Sequence, residues 1–147
     1  MIKVEINKLI LDELIKIHMI CDKDFDPILS TRVVIEDYCQ KLYVSSIVFS
    51  AYWNINLAGI LAMYCNDEIN NTGYISSVCI YKEYRGLKIG KSLMESAIKY
   101  AQAEGMLKIK LEVGIKNLSA IKLYRKYGFI ISETNQDIHS MELTIDK

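Results

Sequence analysis

The stretch Tyr84-Arg85-Gly86-Leu87-Lys88-Ile89-Gly90-Lys91-Ser92 combines glycines and cations at the start of a helical pattern. Glycine lets backbone amides approach a ligand closely. A helix start leaves N–H groups unpaired and carries the positive end of the dipole. With Arg85, Lys88 and Lys91 beside it, such a turn cradles a phosphate or pyrophosphate. The nucleoside-triphosphate loop G-x-x-x-x-G-K-S/T is missed by one residue. Gly90-Lys91-Ser92 supplies its end, but Arg85 stands where its first glycine belongs. The dinucleotide fingerprint G-x-G-x-x-G is absent as well. Taken alone, the loop is either a phosphate site or an ordinary strand-to-helix turn with surface lysines.

A second segment narrows the choice. It runs Asn117-Leu118-Ser119-Ala120-Ile121-Lys122-Leu123-Tyr124-Arg125-Lys126-Tyr127-Gly128-Phe129. Together the two segments resemble the GNAT family of acetyl-CoA-dependent N-acetyltransferases. Arg85 to Gly90 matches the family loop R/Q-x-x-G-x-G/A except at Lys88, where the family usually has glycine. Asn117, Ala120, Leu123, Tyr124, Gly128 and Phe129 fill every fixed position of N-x-x-A-x-x-L-Y-x-x-x-G-F.

The resemblance implies acetyl-CoA as cosubstrate, its pantetheine arm beside Val78, Cys79 and Ile80. A backbone N–H there would stabilise the oxyanion, a role worth about 3 kcal/mol. The pyrophosphate would rest on Arg85, Gly86, Leu87, Lys88, Ile89, Gly90 and Lys91. Asn117 would hydrogen-bond the arm, and Tyr124 would protonate the departing thiolate as general acid. No metal is implied. If position 88 demands a left-handed backbone, Lys88 costs about 1 kcal/mol there. Some family members carry a base Glu on the strand before the loop, yet Tyr74 to Ile80 holds no carboxylate. The base is thus unassigned, and a non-enzymatic CoA-binding module stays open beside the enzyme. The family's acceptor side maps onto Asp24-Phe25-Asp26-Pro27-Ile28-Leu29-Ser30-Thr31-Arg32, then Tyr38 and Lys41. Phe25, Leu29, Arg32 and Tyr38 are the candidate contacts to a primary amine on a small molecule, an amino sugar for example, or on a peptide. Pairing of two copies is also in keeping with the family.

These groups need a scaffold. Ile2–Ile6 alternates as a first strand, and Asp12–Met19 carries a helical apolar stripe. Asp22 to Ser30 is an acidic loop broken by Pro27; Ser30 or Thr31 caps a second helix to about Tyr43. Two strands follow, Val44–Tyr52 and Leu57–Cys65, joined by a turn at Asn54–Asn56. The uncharged run from Leu42 to Cys65 has the length of a membrane span, but its serines, asparagines and β-branched residues favour the strand pair. Tyr74–Tyr81 is a strand and Ile89–Glu104 a helix stopped by Gly105. Lys108–Val113, the helix Asn117–Tyr127, and strands Phe129–Ser132 and Met141–Ile145 complete the order β-α-α-β-β-β-α-β-α-β-β. That is a mixed α/β sheet flanked by helices, the GNAT fold by resemblance.

The 147 residues, 51% apolar and 24% charged, suit one folded domain over 1–147. Eighteen basic residues balance eighteen acidic ones, which argues against a nucleic-acid binder. Cys21, Cys39, Cys65 and Cys79 form no C-x-x-C pair, so zinc and redox motifs fail. Four reduced thiols and no secretory leader point to the cytoplasm. Cys79 reads as a small buried hydrophobe. His18 reads as structural or surface, His139 as preceding the last strand, and Glu83 and Glu112 as solvated.

Overall fold

The structure, a computed structural model, describes residues 1–145. Seven strands and four helices run in the expected order. They are β1 (Ile2–Ile6), α1 (Leu11–Ile20), α2 (Ile35–Ser45), β2 (Ile47–Trp53), β3 (Asn56–Asp67), β4 (Thr72–Ile80), α3 (Ile89–Ala103), β5 (Lys108–Gly114), α4 (Leu118–Lys126), β6 (Ile130–Asn135) and β7 (Ile138–Thr144). Apolar spacing explains the helices. Leu14, Ile17 and His18 of α1 share one buried face, as do Leu93, Met94, Ala97 and Ala101 of α3. Gly105 and Gly128 take positive φ of 78° and 98° just past α3 and α4, which ends both helices.

The strands form one mixed sheet in the order β1-β2-β3-β4-β5-β7-β6. Only the β4–β5 pair is parallel, reached through the α3 crossover. One face packs Leu14, Ile17, Cys39 and Leu42 of α1 and α2 against Ile60, Ala62 and Cys79. The other packs Leu93, Met94, Ala97, Ile121 and Tyr124 of α3 and α4 against Phe49, Leu61, Met63 and Ile109. β3 is therefore buried on both sides from Ala58 to Met63. Among the described residues no helix is long and apolar enough to cross a membrane, and the four cysteines are free.

Three local expectations are corrected. Ser30 and Thr31 do not cap α2; they lie in a short 3-10 turn, Leu29–Thr31, and the helix begins at Ile35. The cause is Asp22, whose carboxylate accepts from the Ser30 amide and hydroxyl at 2.7 and 2.6 Å and so commits Ser30 to closing the loop. His139 lies within β7 rather than before it, because the hairpin turns early, with Asn135 opposite Ile138 and Gln136 at φ 54°. The β2–β3 turn likewise tightens to two residues, Asn54-Ile55, with Trp53 opposite Asn56.

The functionally important feature is where the sheet stops being continuous. β4 pairs with β5 only from Thr72–Lys108 to Ile75–Leu111. Beyond that, β4 stays with β3 as far as Ile80 opposite Gly59. β5 stays with β7 as far as Gly114 opposite Ile138. The divergence starts at a bulge: Met63 faces Ile75 and Ala62 faces Ser77, leaving Ser76 as the extra residue. Gly59 lets β3 hold the far end of β4, since a Cβ there would lie 2.8 Å from the Cys79 carbonyl oxygen and 3.1 Å from an Ile89 methyl. Gly59→Ala must push β3 off β4, so it should lower stability by about 1–3 kcal/mol. An unchanged midpoint in urea unfolding would show that the two strands have room to spare.

Candidate active site

The chain leaves β4 through a 3-10 turn, Lys82–Tyr84, and enters α3 at Ile89. Gly86 at φ 82° and Lys88 at φ 68°, ψ 26° make the turn. Position 88 is thus left-handed, and a lysine there costs about 1–2 kcal/mol relative to a relaxed backbone. No side chain caps α3. Its first helical bond runs from the Ser92 N–H to the Lys88 carbonyl at 3.1 Å, so the amides of Ile89, Gly90 and Lys91 have no helical acceptor. This is an anion cradle of bare N–H groups at the positive end of a 15-residue helix. Lys88 is exposed and Lys91 half-buried at its rim. Arg85 instead lies across the turn. Its guanidinium donates to the Ile80 carbonyl at 3.2 and 3.3 Å and to Asp24 at 2.6 Å. The Asp24–Arg85 pair is about half exposed, so it ties the acidic loop to the cradle more than it stabilises the fold.

A cavity of about 1010 Å³ extends from this cradle to α4. Val78, Cys79, Ile80, Arg85, Gly86, Lys88, Ile89, Gly90, Lys91, Asn117 and Tyr124 all line it; Leu87 alone of the expected cofactor residues does not. A smaller cavity of about 120 Å³ occupies the gap between the parted β4 and β5, and Val78, Asn117 and Tyr124 belong to both. Asn117 caps α4, its carbonyl oxygen accepting from the Ala120 amide at 3.3 Å and the Ser119 hydroxyl at 3.5 Å. That leaves its NH₂ to donate elsewhere. Tyr124 is largely buried against Phe129. Its hydroxyl has no hydrogen-bond partner among the described residues. No fully buried polar side-chain atom among them lacks a partner, so this hydroxyl must reach the cavity. Burial pushes it up to about 12, which keeps its proton in place at neutral pH.

The bulge that parts the strands is pinned from the α1–α2 face. The Tyr38 hydroxyl lies 3.0 Å from the Ser76 carbonyl oxygen and 2.7 Å from the Ser76 hydroxyl. His18 is fully buried beside it, with Nδ1 2.8 Å from the Leu14 carbonyl oxygen and Nε2 2.7 Å from the Ser77 hydroxyl. A carbonyl only accepts, so Nδ1 carries the proton. Burial lowers the His18 pKa and favours the neutral ring, whose Nε2 then accepts from Ser77. Ser77 in turn lies 3.5 Å from the Cys79 sulfur. Burial holds the Cys79 thiol protonated, in keeping with an inert strand cysteine. The Phe25 ring stacks on His18 at 6.1 Å and the Tyr38 ring meets it edge-on at 5.7 Å. Phe25 is thereby anchored where the acidic loop crosses the cleft.

The four candidate acceptor contacts separate. Phe25 lines both cavities and Arg32 the smaller one. Leu29 is fully buried and lines neither, because the 3-10 turn directs it into the interior. Tyr38 also lines neither, being bonded to Ser76. His139 lies 2.7 Å from the Thr134 hydroxyl on the last hairpin and lines neither cavity. Glu112 is exposed and accepts from the Tyr74 hydroxyl at 3.4 Å. Ser119 lines the large cavity without having been singled out, and Ala120 and Leu123, marked in the sequence only as fixed positions of the α4 motif, line it too. Among the described residues no group of three or more His, Cys, Asp or Glu is placed to hold a metal.

Comparison with known proteins agrees with this geometry. The model of the acetyltransferase (GNAT) family matches residues 11–129. The chain is 33% identical over 81 residues to a Bacillus subtilis (strain 168) protein named a ribosomal protein bS18-alanine N-acetyltransferase, covering 54% of each chain. It is 31% identical over 132 residues to the streptothricin acetyltransferase of Escherichia coli, covering 85% of this chain and 72% of that one. The chain thus spans about half the length of the first of these relatives. The fold superposes on PaiA N-acetyltransferase from Thermoplasma acidophilum, solved in complex with coenzyme A, with a TM-score of 0.72, 21% identity, and 97% and 99% of the two chains covered.

Lys88→Gly should relieve the left-handed strain at the mouth of α3. After glycine's larger chain entropy is subtracted, the net gain is about 0.5–1 kcal/mol, visible as a raised melting temperature. A lowered melting temperature would mean that the lysine side chain makes a stabilising contact larger than the strain.

Proposed function

The chain belongs to the acetyltransferase (GNAT) family, and from that premise we propose that it is an acetyl-CoA-dependent N-acetyltransferase. It would act through one domain over residues 1–147, transferring acetyl directly to a primary amine on a small molecule, amino sugars included, or on a peptide. The observation that carries this is the continuous cleft from the bare amides of α3, along the parted edge of β4, to the Tyr124 hydroxyl. The residues fit the cosubstrate. Unpaired N–H groups with Lys88 and Lys91 suit a pyrophosphate. β4 past Ile75 has no strand partner on its β5 side, so its backbone is available to an extended amide-bearing arm. Asn117 would add a side-chain donor at the far wall.

The same parts supply the chemistry. The amine nitrogen bonds to the thioester carbon and the carbon–sulfur bond breaks. A β4 amide within Val78–Ile80 faces the developing oxyanion. Tyr124 keeps its proton until the sulfur leaves and then donates it. The streptothricin enzyme and the bS18-alanine enzyme, a small-molecule and a protein acetyltransferase by name, bracket the acceptors worth screening.

Thermal melting with acetyl-CoA, CoA or ATP–magnesium tests the cofactor, and thiol release across an amine panel tests the reaction. At a hundredfold excess over Kd, either CoA form should add about 2.7 kcal/mol of stability, and ATP–magnesium nothing. Tyr124→Phe should keep that shift and lower kcat at least about a hundredfold. A chain that shows the shift but acetylates nothing is a CoA-binding module; a chain that shows no shift with either CoA form has the fold without the cosubstrate.

A further inference from the structure

Transfer to an amine needs a route for the amine's proton, and β4 offers no carboxylate between Tyr74 and Ile80. The acidic groups around the cleft are not equivalent. Asp22 accepts from Ser30, Asp24 is paired with Arg85, and Glu112 accepts from Tyr74. Asp26 has no hydrogen bond or ion pair among the described residues, and it lines both the large cavity and the gap between β4 and β5.

Its seat is shaped for it. Asp26 packs over Gly114, the last residue of β5, at the open end of the parted strands. A Cβ at Gly114 would lie 2.9 Å from the Asp26 carboxyl carbon and 3.0 Å from its Cβ, closer than such atoms tolerate. Gly114 does not have a positive φ, so its backbone suits any residue, and the bare Cα serves the approach of this one carboxylate. The neighbouring Phe25, stacked on the buried His18, fixes the loop that carries Asp26. Tyr124 reaches the same space from the α3–α4 face, because it belongs to that core, whereas the Asp26 loop joins α1 to α2. An acid and a carboxylate therefore flank the gap from opposite faces.

We infer that Asp26 receives the acceptor amine, binding its nitrogen and taking its proton, as general base of the transfer; the inference rests on the N-acetyltransferase reading above. Asp26 takes one proton from the ammonium and passes it to solvent, to which the side chain is open. The neutral nitrogen forms the bond to the acetyl carbon and the carbon–sulfur bond breaks as Tyr124 protonates sulfur. The second nitrogen proton returns through Asp26 and solvent to Tyr124. The products are the amide, CoA thiol and one proton.

The test uses the full chain, acetyl-CoA, and a panel of an amino sugar, a polyamine, an amino acid and a peptide with a free N-terminus. Asp26→Asn should leave the acetyl-CoA melting shift intact. It should lower kcat/KM for the responsive amine about a hundredfold or more, and weaken amine binding to the CoA-loaded protein in calorimetry. Gly114→Ala, which displaces the carboxylate without removing it, should move the same quantities in the same direction and so covers the case in which Asp26→Asn fails to fold. Asp26→Asn activity within threefold of the wild type, with amine binding unchanged, overturns the assignment alone. A wild type that shifts with acetyl-CoA but acetylates none of the panel overturns the N-acetyltransferase reading and the assignment with it.

Discussion

A parallel pair of strands that separates partway along its length is the constraint on which the site depends. Each strand keeps its outer partner, β3 for β4 and β7 for β5, while the inner ladder ends at Ile75–Leu111. Backbone groups released in this way must find other partners. Here they face a cavity that leads to the start of α3. The extra residue at Ser76 begins the separation, and Gly59 lets β3 follow β4 past it without a clash.

Opening a sheet in its centre needs support, and the α1–α2 face provides it. Tyr38 holds the carbonyl oxygen and the hydroxyl of Ser76, and His18 holds Ser77 from a fully buried position. The His18–Ser77 bond is made where water is excluded, so losing one partner would strand the other at a cost of about 1–3 kcal/mol. The His18 ring, met edge-on by Tyr38, seats Phe25, which carries the acidic loop onto the cleft. The loop is further tied by Asp24 to Arg85. Shaping of the strand and placement of the acidic loop are thus one packing arrangement. The left-handed Lys88 is the local cost of the turn that leads from Lys82–Tyr84 into α3.

The order of elements could be read from the sequence because its signals are local. The stripe of α3, the Asn117 cap and the stops at Gly105 and Gly128 act within one or two helical turns. The cradle and α4 were legible for the same reason, since their chemistry lies in contiguous residues. Long-range features were not. Ser76 looks like any strand serine; only the register against Ala62 and Met63 makes it a bulge. Ser30 has the chemistry of a helix cap, but Asp22, eight residues earlier, claims it. Leu29 and Tyr38 lie in the segment expected to face an acceptor, yet one is folded into the interior and the other is bonded to β4. The fit of Asp26 over Gly114 joins residues 88 positions apart and has no sequence signature.

The central claim is that the parted edge of β4 and the mouth of α3 together bind one extended ligand. Amide hydrogen exchange, residue by residue, with and without acetyl-CoA, tests it most directly. Slowed exchange confined to segments 76–80, 86–91 and 117–120, with β1, β2 and β6 unchanged, is the result expected. Protection at 86–91 with none along 76–80 would reduce the site to a simple anion pocket and contradict the claim that the opening of the sheet exists to hold the ligand.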